Sequence, residues 1–140
     1  MKILIMRFSS FGDVLLTTPV IRAIKKKYPD ATIDFAVYDT FSQAISLNPN
    51  IRKLVVFEKK KSKDKEYIKN IISQLKKEKY DFVIDLHSKI LSRIIGIKLK
   101  NSKTKYFRYK KRKWWKTLLS KRKLLIIMLT ARLWKVIFLH

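Results

Sequence analysis

The stretch that most constrains the fold of this chain is ILIMRFSSFGDVLLTTP, residues 3–19. An apolar run from Lys2 to Met6 is of the kind that is buried as a strand in a parallel sheet. A polar turn with one glycine follows, and then the start of a helix. Ligands of open α/β sheets bind beyond the carboxyl ends of the strands, so this turn is predicted to lie at a binding site. Asp13 is the first candidate for a functional role there.

Strand and helix patterns alternate over most of the chain. Apolar, β-branched and aromatic runs predict strands, and apolar residues at helical spacing predict helices. The predicted strands are 2–6, 32–38, 51–57, 80–86 and 104–109, and the predicted helices are 14–28, 67–79 and 90–99. This alternation is typical of βαβ units, and it predicts an α/β fold with a parallel sheet and flanking helices.

Two local features carry predictions of their own. Pro19 interrupts the first helix, which is expected to be a single helix bent near Thr17–Pro19. The alternative is a second helix start at Thr18, with Pro19 at the first helical position. Further along, Thr40 is expected to cap a short helix that ends near Leu47.

Composition bounds the class of protein. The chain has 140 residues, of which 47% are hydrophobic, enough for one domain with a real core. It has no cysteine, which excludes a disulfide framework and a thiolate metal site. With only 2 glycines it has no G-x-G-x-x-G fingerprint, and a nucleotide site built on that motif is excluded. The chain contains no run of about 18 uncharged apolar residues, so no transmembrane helix is predicted.

The formal net charge of +24 is extreme and uneven. Residues 1–56 hold 8 Lys/Arg and 4 Asp/Glu, whereas residues 57–140 hold 26 and 6, with Asp85 the last acidic residue. Such a charge attracts polyanions, including nucleic acid, an anionic membrane surface or a phosphorylated glycolipid. The alternative for the lysine excess before Asp85 is a bias of base composition.

The character of the chain changes after Tyr109. Residues 110–122 interleave Lys and Arg with Trp114 and Trp115, and residues 124–139 are mostly apolar. This last stretch is expected to form an interfacial helix, or a helix that packs on structure missing from the chain. The domain prediction is therefore a folded domain over residues 1–115 and a basic, apolar, helical tail over residues 116–140.

Three segments together resemble glycosyltransferase family 9, the ADP-heptose:lipopolysaccharide heptosyltransferases. They are the run that contains SSFGDVLLTTP, the segment KKKYPDATIDF (residues 25–35) and the strand KYDFVIDLHS (residues 79–88). The resemblance extends over about residues 1–115. It implies a Rossmann-like domain, the N-terminal and acceptor-binding domain of a GT-B architecture, with the C-terminal domain absent.

The resemblance also implies a reaction. Family members transfer heptose from ADP-heptose to a sugar hydroxyl of the lipopolysaccharide inner core, with inversion and without a structural need for a metal. The aspartate of the family's S-x-G-D turn is regarded as the catalytic base, and here it is Asp13. The donor site would lie in the missing C-terminal domain. A frameshift or premature stop would produce such a tail, so the chain is expected to be truncated and inactive alone.

The residues themselves leave structural alternatives open in the first turn. Asp13 is suited to be a general base, and equally to be a helix N-cap; the two roles can coexist. Ser9, Ser10 and Gly12 are candidates for contacting the acceptor, or are ordinary turn residues. Thr17 is a further acceptor candidate, for which capping or hydrogen bonding back along the helix is the alternative.

A second group of candidates follows the fourth strand. His87 should point at the same edge of the sheet, to bind the acceptor or to tune Asp13, or else it is a polar loop residue. Lys89 and Arg93 belong to the basic face after Asp85 that would hold an anionic acceptor. The segment 103–122, with its tyrosines and tryptophans, is a candidate for contacts with an anionic ligand. No protein-built metal site and no cofactor are expected, since no second histidine lies at metal spacing.

The expected partners and location follow from the resemblance. They are ADP-heptose once a donor domain is supplied, an anionic acceptor of the lipopolysaccharide type, and peripheral contact with the inner membrane. The protein is expected in the cytoplasm, at the inner face of the cytoplasmic membrane, with no specific nucleic acid as partner. The alternative function is a small basic α/β module that binds RNA or an anionic membrane.

Overall fold

The computed structural model of the protein describes residues 1–109. The predictions for residues 110–140, which include the tail after residue 115 and the two neighbouring tryptophans, lie outside the described residues.

Five strands form one parallel sheet at the centre of the domain. They are β1 (Lys2–Met6), β2 (Thr32–Tyr38), β3 (Lys53–Phe57), β4 (Phe82–Asp85) and β5 (Lys105–Arg108). Their order is β3-β2-β1-β4-β5, and every neighbouring pair is parallel. The predicted Rossmann-like sheet is confirmed. The strand order reverses between β1 and β4, so these two strands form the switch point at which such sheets bind ligands.

Helices cover both faces of the sheet. They are α1 (Phe11–Leu15), α2 (Thr18–Lys27), α3 (Lys65–Lys77) and α4 (Ile90–Leu99), with two 3-10 turns at Asp39–Ala44 and Lys59–Lys61. The bounds of α4 are those predicted from the sequence. Among residues 1–109 no helix has the length and apolar character needed to cross a bilayer.

The prediction of one bent helix after the first strand is wrong, and the alternative describes the structure. The first helix ends at Leu15, and a new one starts at Thr18 with proline in its first turn. The restart is marked by Ile21, whose backbone N–H donates to the carbonyl of Thr17 at 3.1 Å. Proline has no backbone N–H. In the first turn of a helix this breaks no hydrogen bond, because the N–H groups there have no intrahelical partner.

Thr40 does not cap a helix, which corrects a second prediction. It lies inside the 3-10 turn Asp39–Ala44, and its backbone N–H donates to the carboxylate of Asp39 at 2.7 Å. An aspartate shifts the next boundary as well. Helix α3 starts two residues earlier than predicted because the Asp64 carboxylate accepts from the N–H groups of Glu66 and Tyr67.

The core has two layers because side chains alternate along each strand. On β1, Ile3 and Ile5 join the cluster that packs under α2, whereas Leu4 and Met6 join the cluster that packs under α3 and α4. Helix α4 lies very close to the sheet at Gly96. A Cβ atom there would lie 2.1 Å from Cε2 of Tyr106, so only glycine fits without displacing that ring.

A charged network ties the amino ends of the strands together, on the side away from the switch point. Buried Asp34 binds the Arg52 guanidinium through both carboxylate oxygens and accepts from the Tyr80 hydroxyl at 2.7 Å. Hydrogen bonds from Lys2, Lys53 and Arg52 lower the pKa of nearby Glu78 to about 2. Because this network pairs the buried Asp34 with Arg52, we interpret its role as structural.

Candidate functional site

Two loops meet at the carboxyl edge of β1 and β4. Met6 and Asp85 are paired in the sheet, so the residues that follow them, 7–10 and 86–89, emerge side by side. Arg7 joins the two loops, because its Nη1 donates to the carbonyl of Leu86 at 2.5 Å. These two loops therefore border the switch point of the sheet, and we call the edge formed by residues 7–13 and 86–89 the switch-point cleft.

Asp13 projects into the switch-point cleft from α1 with one of its two oxygens held. Its Oδ2 accepts from Arg7 Nη2, from the Ser10 hydroxyl at 3.2 Å and from the Ser10 N–H at 3.5 Å. Among the described residues no donor binds its Oδ1. The side chain is 37% exposed, so this second oxygen is open to a ligand.

The N-cap of α1 is Ser10, and Asp13 is the third residue of that helix. The Asp13 carboxylate accepts from the Ser10 N–H and so forms part of a capping box, which gives it a structural role beside any chemical one. Partial burial alone would raise the pKa of Asp13, but the Arg7 charge and the hydrogen bonds from Arg7 and Ser10 hold that pKa below its ordinary value. Asp13 is thus a carboxylate at neutral pH.

We expect the substitution Arg7→Met to raise the pKa of Asp13, because it removes the guanidinium charge and leaves the burial. The lowered pKa stabilises the folded chain above the ordinary aspartate pKa, and this contribution is lost as the pH falls through the folded value. The measurement is a titration of the Asp13 side-chain carboxyl by carbon NMR. Arg22→Met, which removes an exposed arginine on α2, is the matched control. A titration midpoint that is the same in Arg7→Met and in the original chain would contradict this role of Arg7.

Asp85 organises the loop after β4 from beneath. It is fully buried, and its Oδ1 accepts from the N–H groups of His87 at 2.9 Å and Ser88 at 2.7 Å. Its Oδ2 accepts from the hydroxyls of Ser92 at 3.0 Å and Tyr106 at 3.1 Å. Burial and the Asp85 carboxylate together raise the pKa of Tyr106. One carboxylate therefore fixes the loop, the start of α4 and the neighbouring strand.

His87 is half-buried and lies beside Phe8 of the loop after β1. Its ring meets the edge of Phe8 at a centroid distance of 5.5 Å, and burial together with the Arg7 charge lowers its pKa to about 4. Within residues 1–109, two side-chain nitrogens are buried without a hydrogen-bond partner, His87 Nδ1 and Arg7 Nε. His87 is thus a neutral ring at neutral pH, placed beside the arginine that holds Asp13.

The structure brings most of the predicted first-turn residues to the cleft. Ser9 and Ser10 lie in the loop after β1, joined by a cis peptide bond, and Ser10 contacts Asp13. Gly12 is exposed, and a Cβ there would meet nothing within 4 Å, so this chain does not itself require glycine at that position. Space above Gly12 is open to a ligand.

Thr17 is the exception, and its prediction as an acceptor contact needs correction. It is 2% exposed, and its hydroxyl donates to the carbonyl of Val14 at 2.6 Å. The hydroxyl is used to hydrogen bond back along the chain, where α1 ends, and it does not reach the cleft.

The basic candidates are spread along α4 and around β5. Lys89 is the residue before α4 and is exposed at the cleft edge, and Arg93 is exposed one turn further along the helix. The segment predicted as one anionic-ligand surface is divided by β5, because Lys103 precedes the strand and Tyr109 follows it. The Tyr106 hydroxyl donates a hydrogen bond to the Asp85 carboxylate.

Sequence reasoning did not single out Arg7 and Asp85 as parts of the site. Both residues could have been noticed because each is a charged residue at the carboxyl end of an apolar run, where a buried strand reaches the surface. No group of three or more His, Cys, Asp or Glu side chains is placed to hold a metal ion in the described part of the chain.

The fold and the cleft together define a Rossmann-like α/β domain with a carboxylate held at its switch point. Comparison with known proteins identifies its relatives. The chain is 40% identical over 110 residues to lipopolysaccharide heptosyltransferase 3 of Escherichia coli, a match over 74% of this chain and 32% of the relative. It is 33% identical over 98 residues to lipopolysaccharide heptosyltransferase 1 of Campylobacter coli, over 69% of this chain and 28% of that protein.

Solved structures give the same result for the fold. A glycosyl transferase family 9 protein from Veillonella parvula superposes with a TM-score of 0.74 at 21% identity, over 94% of this chain and 41% of that one. The E. coli heptosyltransferase WaaC, solved with ADP-2-deoxy-2-fluoro heptose, superposes with a TM-score of 0.58 at 23% identity, over 77% and 35%. No family model matches the chain.

These matches confirm the resemblance to glycosyltransferase family 9 that the sequence motifs carry. The chain is similar in sequence to lipopolysaccharide heptosyltransferases, and it spans about a third of the length of the curated relatives named above. The comparisons support the transferase interpretation, and they give no support to the alternative of an RNA- or membrane-binding module.

Proposed function

We propose that this chain is the acceptor-binding part of a heptosyltransferase of the lipopolysaccharide core. Its relatives are named for that reaction, and one solved neighbour carries an ADP-heptose analogue. In this proposal residues 1–115 form the N-terminal domain of a GT-B architecture, and a further domain supplies the site for the sugar nucleotide. The enzyme works in the cytoplasm, at the inner face of the cytoplasmic membrane.

The observation that carries the proposal is the state of Asp13. The carboxylate is held through Oδ2 by Arg7 and Ser10, while Oδ1 is open at the edge of the sheet where ligands bind. A general base needs this arrangement, because one oxygen must stay free to accept a proton and the side chain must not rotate away.

The proposed transfer step assigns the proton acceptor to Asp13. A hydroxyl of the acceptor sugar attacks the anomeric carbon of heptose, and the bond from that carbon to the phosphate oxygen of ADP breaks. The electron pair of the broken bond leaves with ADP, and the hydroxyl proton passes to Asp13 Oδ1. Since the pKa of Asp13 is lowered, the carboxylate is a weak base that accepts the proton as the new bond forms.

The remaining candidates hold the acceptor in this proposal. Ser9 and Ser10 offer hydroxyls, Gly12 leaves room for a sugar ring, and Lys89 and Arg93 pair with its phosphates or carboxylates. His87, a half-buried neutral ring beside Arg7, remains a candidate both for contacting the acceptor and for tuning Asp13. The acceptor is anionic lipopolysaccharide core, which matches the excess of cations after Asp85.

The test is a hybrid protein in which residues 1–109 replace the matching segment of E. coli lipopolysaccharide heptosyltransferase 3. This hybrid is expected to transfer heptose from ADP-heptose to a core acceptor, because the relative supplies the donor site. Donor binding, measured by calorimetry, shows separately that the hybrid is folded. A folded hybrid that binds ADP-heptose but transfers no heptose would contradict the proposal.

A further inference from the structure

Helix α4 carries an apolar stripe on its outer face. Ile90, Ile94 and Ile97 are 75%, 45% and 61% exposed, and their i, i+4, i+7 spacing places them along one line of the helix. The inner face of α4 is buried against the sheet and α3 through Ile95, Gly96 and Leu99. Single exposed isoleucines are common on protein surfaces, but three in one stripe over about 10 Å indicate an interaction surface.

Cations flank the stripe along the chain. Lys89 and Arg93 lie beside its first two residues, and Lys98 and Lys100 lie beside the last. No Asp or Glu occurs in the sequence after Asp85. None of these four cations forms an ion pair with another described residue. An apolar stripe with a cationic border is typical of helices that lie on anionic lipid surfaces.

We propose that the outer face of α4 docks the protein on an anionic membrane surface, with Ile90, Ile94 and Ile97 entering the boundary between headgroups and acyl chains. Charge decides between the possible occupants of this face. A second copy would place the same cations against each other, and the segment 110–140 of this chain has ten Lys or Arg and no acidic residue. An anionic bilayer offers both the negative charge and the apolar boundary.

The position of α4 ties this surface to the switch-point cleft. The helix starts at Ile90, directly after the loop 86–89 that forms one side of the cleft. Docking by α4 would therefore hold the cleft beside the lipid surface, within reach of a saccharide carried on a lipid. This inference rests on the proposed function for its purpose, but lipid binding is measured without any turnover and can fail separately.

The first experiment compares the full chain with the variant Ile90→Gln, Ile94→Gln, Ile97→Gln. Partition onto vesicles of phosphatidylethanolamine and phosphatidylglycerol is measured by co-sedimentation over a range of salt concentrations. The variant is expected to bind about 10- to 100-fold more weakly at the salt concentrations that screen simple charge attraction. Leu47→Gln, which removes a side chain 94% exposed elsewhere, is the matched control and should bind like the original chain.

The second experiment locates the contact directly. The chain has no cysteine, so Ile94→Cys and Leu47→Cys each carry one environment-sensitive fluorophore at a unique site. Vesicles are expected to shift the emission of the label at position 94 to the blue and to leave the label at position 47 unchanged. The proposal is overturned if the original chain does not bind these vesicles, or if the glutamine variant binds them equally well. A label shift at position 94 that depends on protein concentration without vesicles would identify a second copy as the occupant instead.

Discussion

Replacing Asp13 by asparagine is expected to lower the transfer rate of the hybrid enzyme by about 10²- to 10⁴-fold, the usual contribution of a general base. Asparagine keeps the shape of the side chain and a carbonyl oxygen for Arg7 and Ser10, but it cannot accept the proton of the attacking hydroxyl. The loss should therefore appear in kcat, with little change in the KM for either substrate. Initial rates of ADP release with saturating donor and acceptor give this measurement.

The matched control for this prediction is Asp30→Asn, which changes an exposed aspartate in the turn after α2. It should leave the rate unchanged. If Asp13→Asn retained the original kcat in a folded hybrid, Asp13 would be a positioning or capping residue and the proposed step would be wrong.

Replacing Asp85 by alanine is expected to lower the free energy of unfolding by about 3 to 5 kcal/mol. The substitution leaves four donors without their buried acceptor: two backbone N–H groups of the loop and the hydroxyls of Ser92 and Tyr106. For a domain of this size such a loss is a large part of the total stability. Urea denaturation followed by far-UV circular dichroism measures it.

Two further variants serve as controls for this stability prediction. Asp85→Asn keeps one oxygen acceptor for the loop N–H groups and should lose less stability than Asp85→Ala. Asp30→Ala, at an exposed position, should stay within about 0.5 kcal/mol of the original chain. A loss below about 1 kcal/mol for Asp85→Ala would show that the network contributes little to the fold.

The centre of the sheet was predictable from the sequence because β1, β2 and β4 are buried on both faces. β1 is an apolar run after Lys2, and β2 is apolar, aromatic or β-branched except at the buried Asp34. The predicted bounds of both strands match the structure. Boundaries that depend on a single side-chain cap were harder to predict. Asp64 moves the start of α3, and the missing N–H of Pro19 divides the first helix, and neither effect changes the apolar pattern that sequence reasoning follows.

The site was predictable only in part, for a related reason. The turn after β1 stood out because it combines glycine, serines and an aspartate at the end of a strand, and the structure places it at the switch point. The roles of Arg7 and Asp85 depend on contacts between residues far apart in the chain, such as Arg7 with Leu86 and Asp85 with Tyr106. The burial of Thr17 depends on where α1 ends, and the sequence pattern does not fix that point.

The central claim is that the switch-point cleft binds the saccharide acceptor. The most direct test is a titration of this chain with a phosphorylated core oligosaccharide of lipopolysaccharide, free of lipid, followed by backbone amide NMR. The claim predicts shift changes in residues 7–13 and 86–93, together with a change at the Asp13 carboxyl carbon. Changes confined to the opposite edge of the sheet, such as residues 98–104, or no changes at millimolar oligosaccharide, would contradict it.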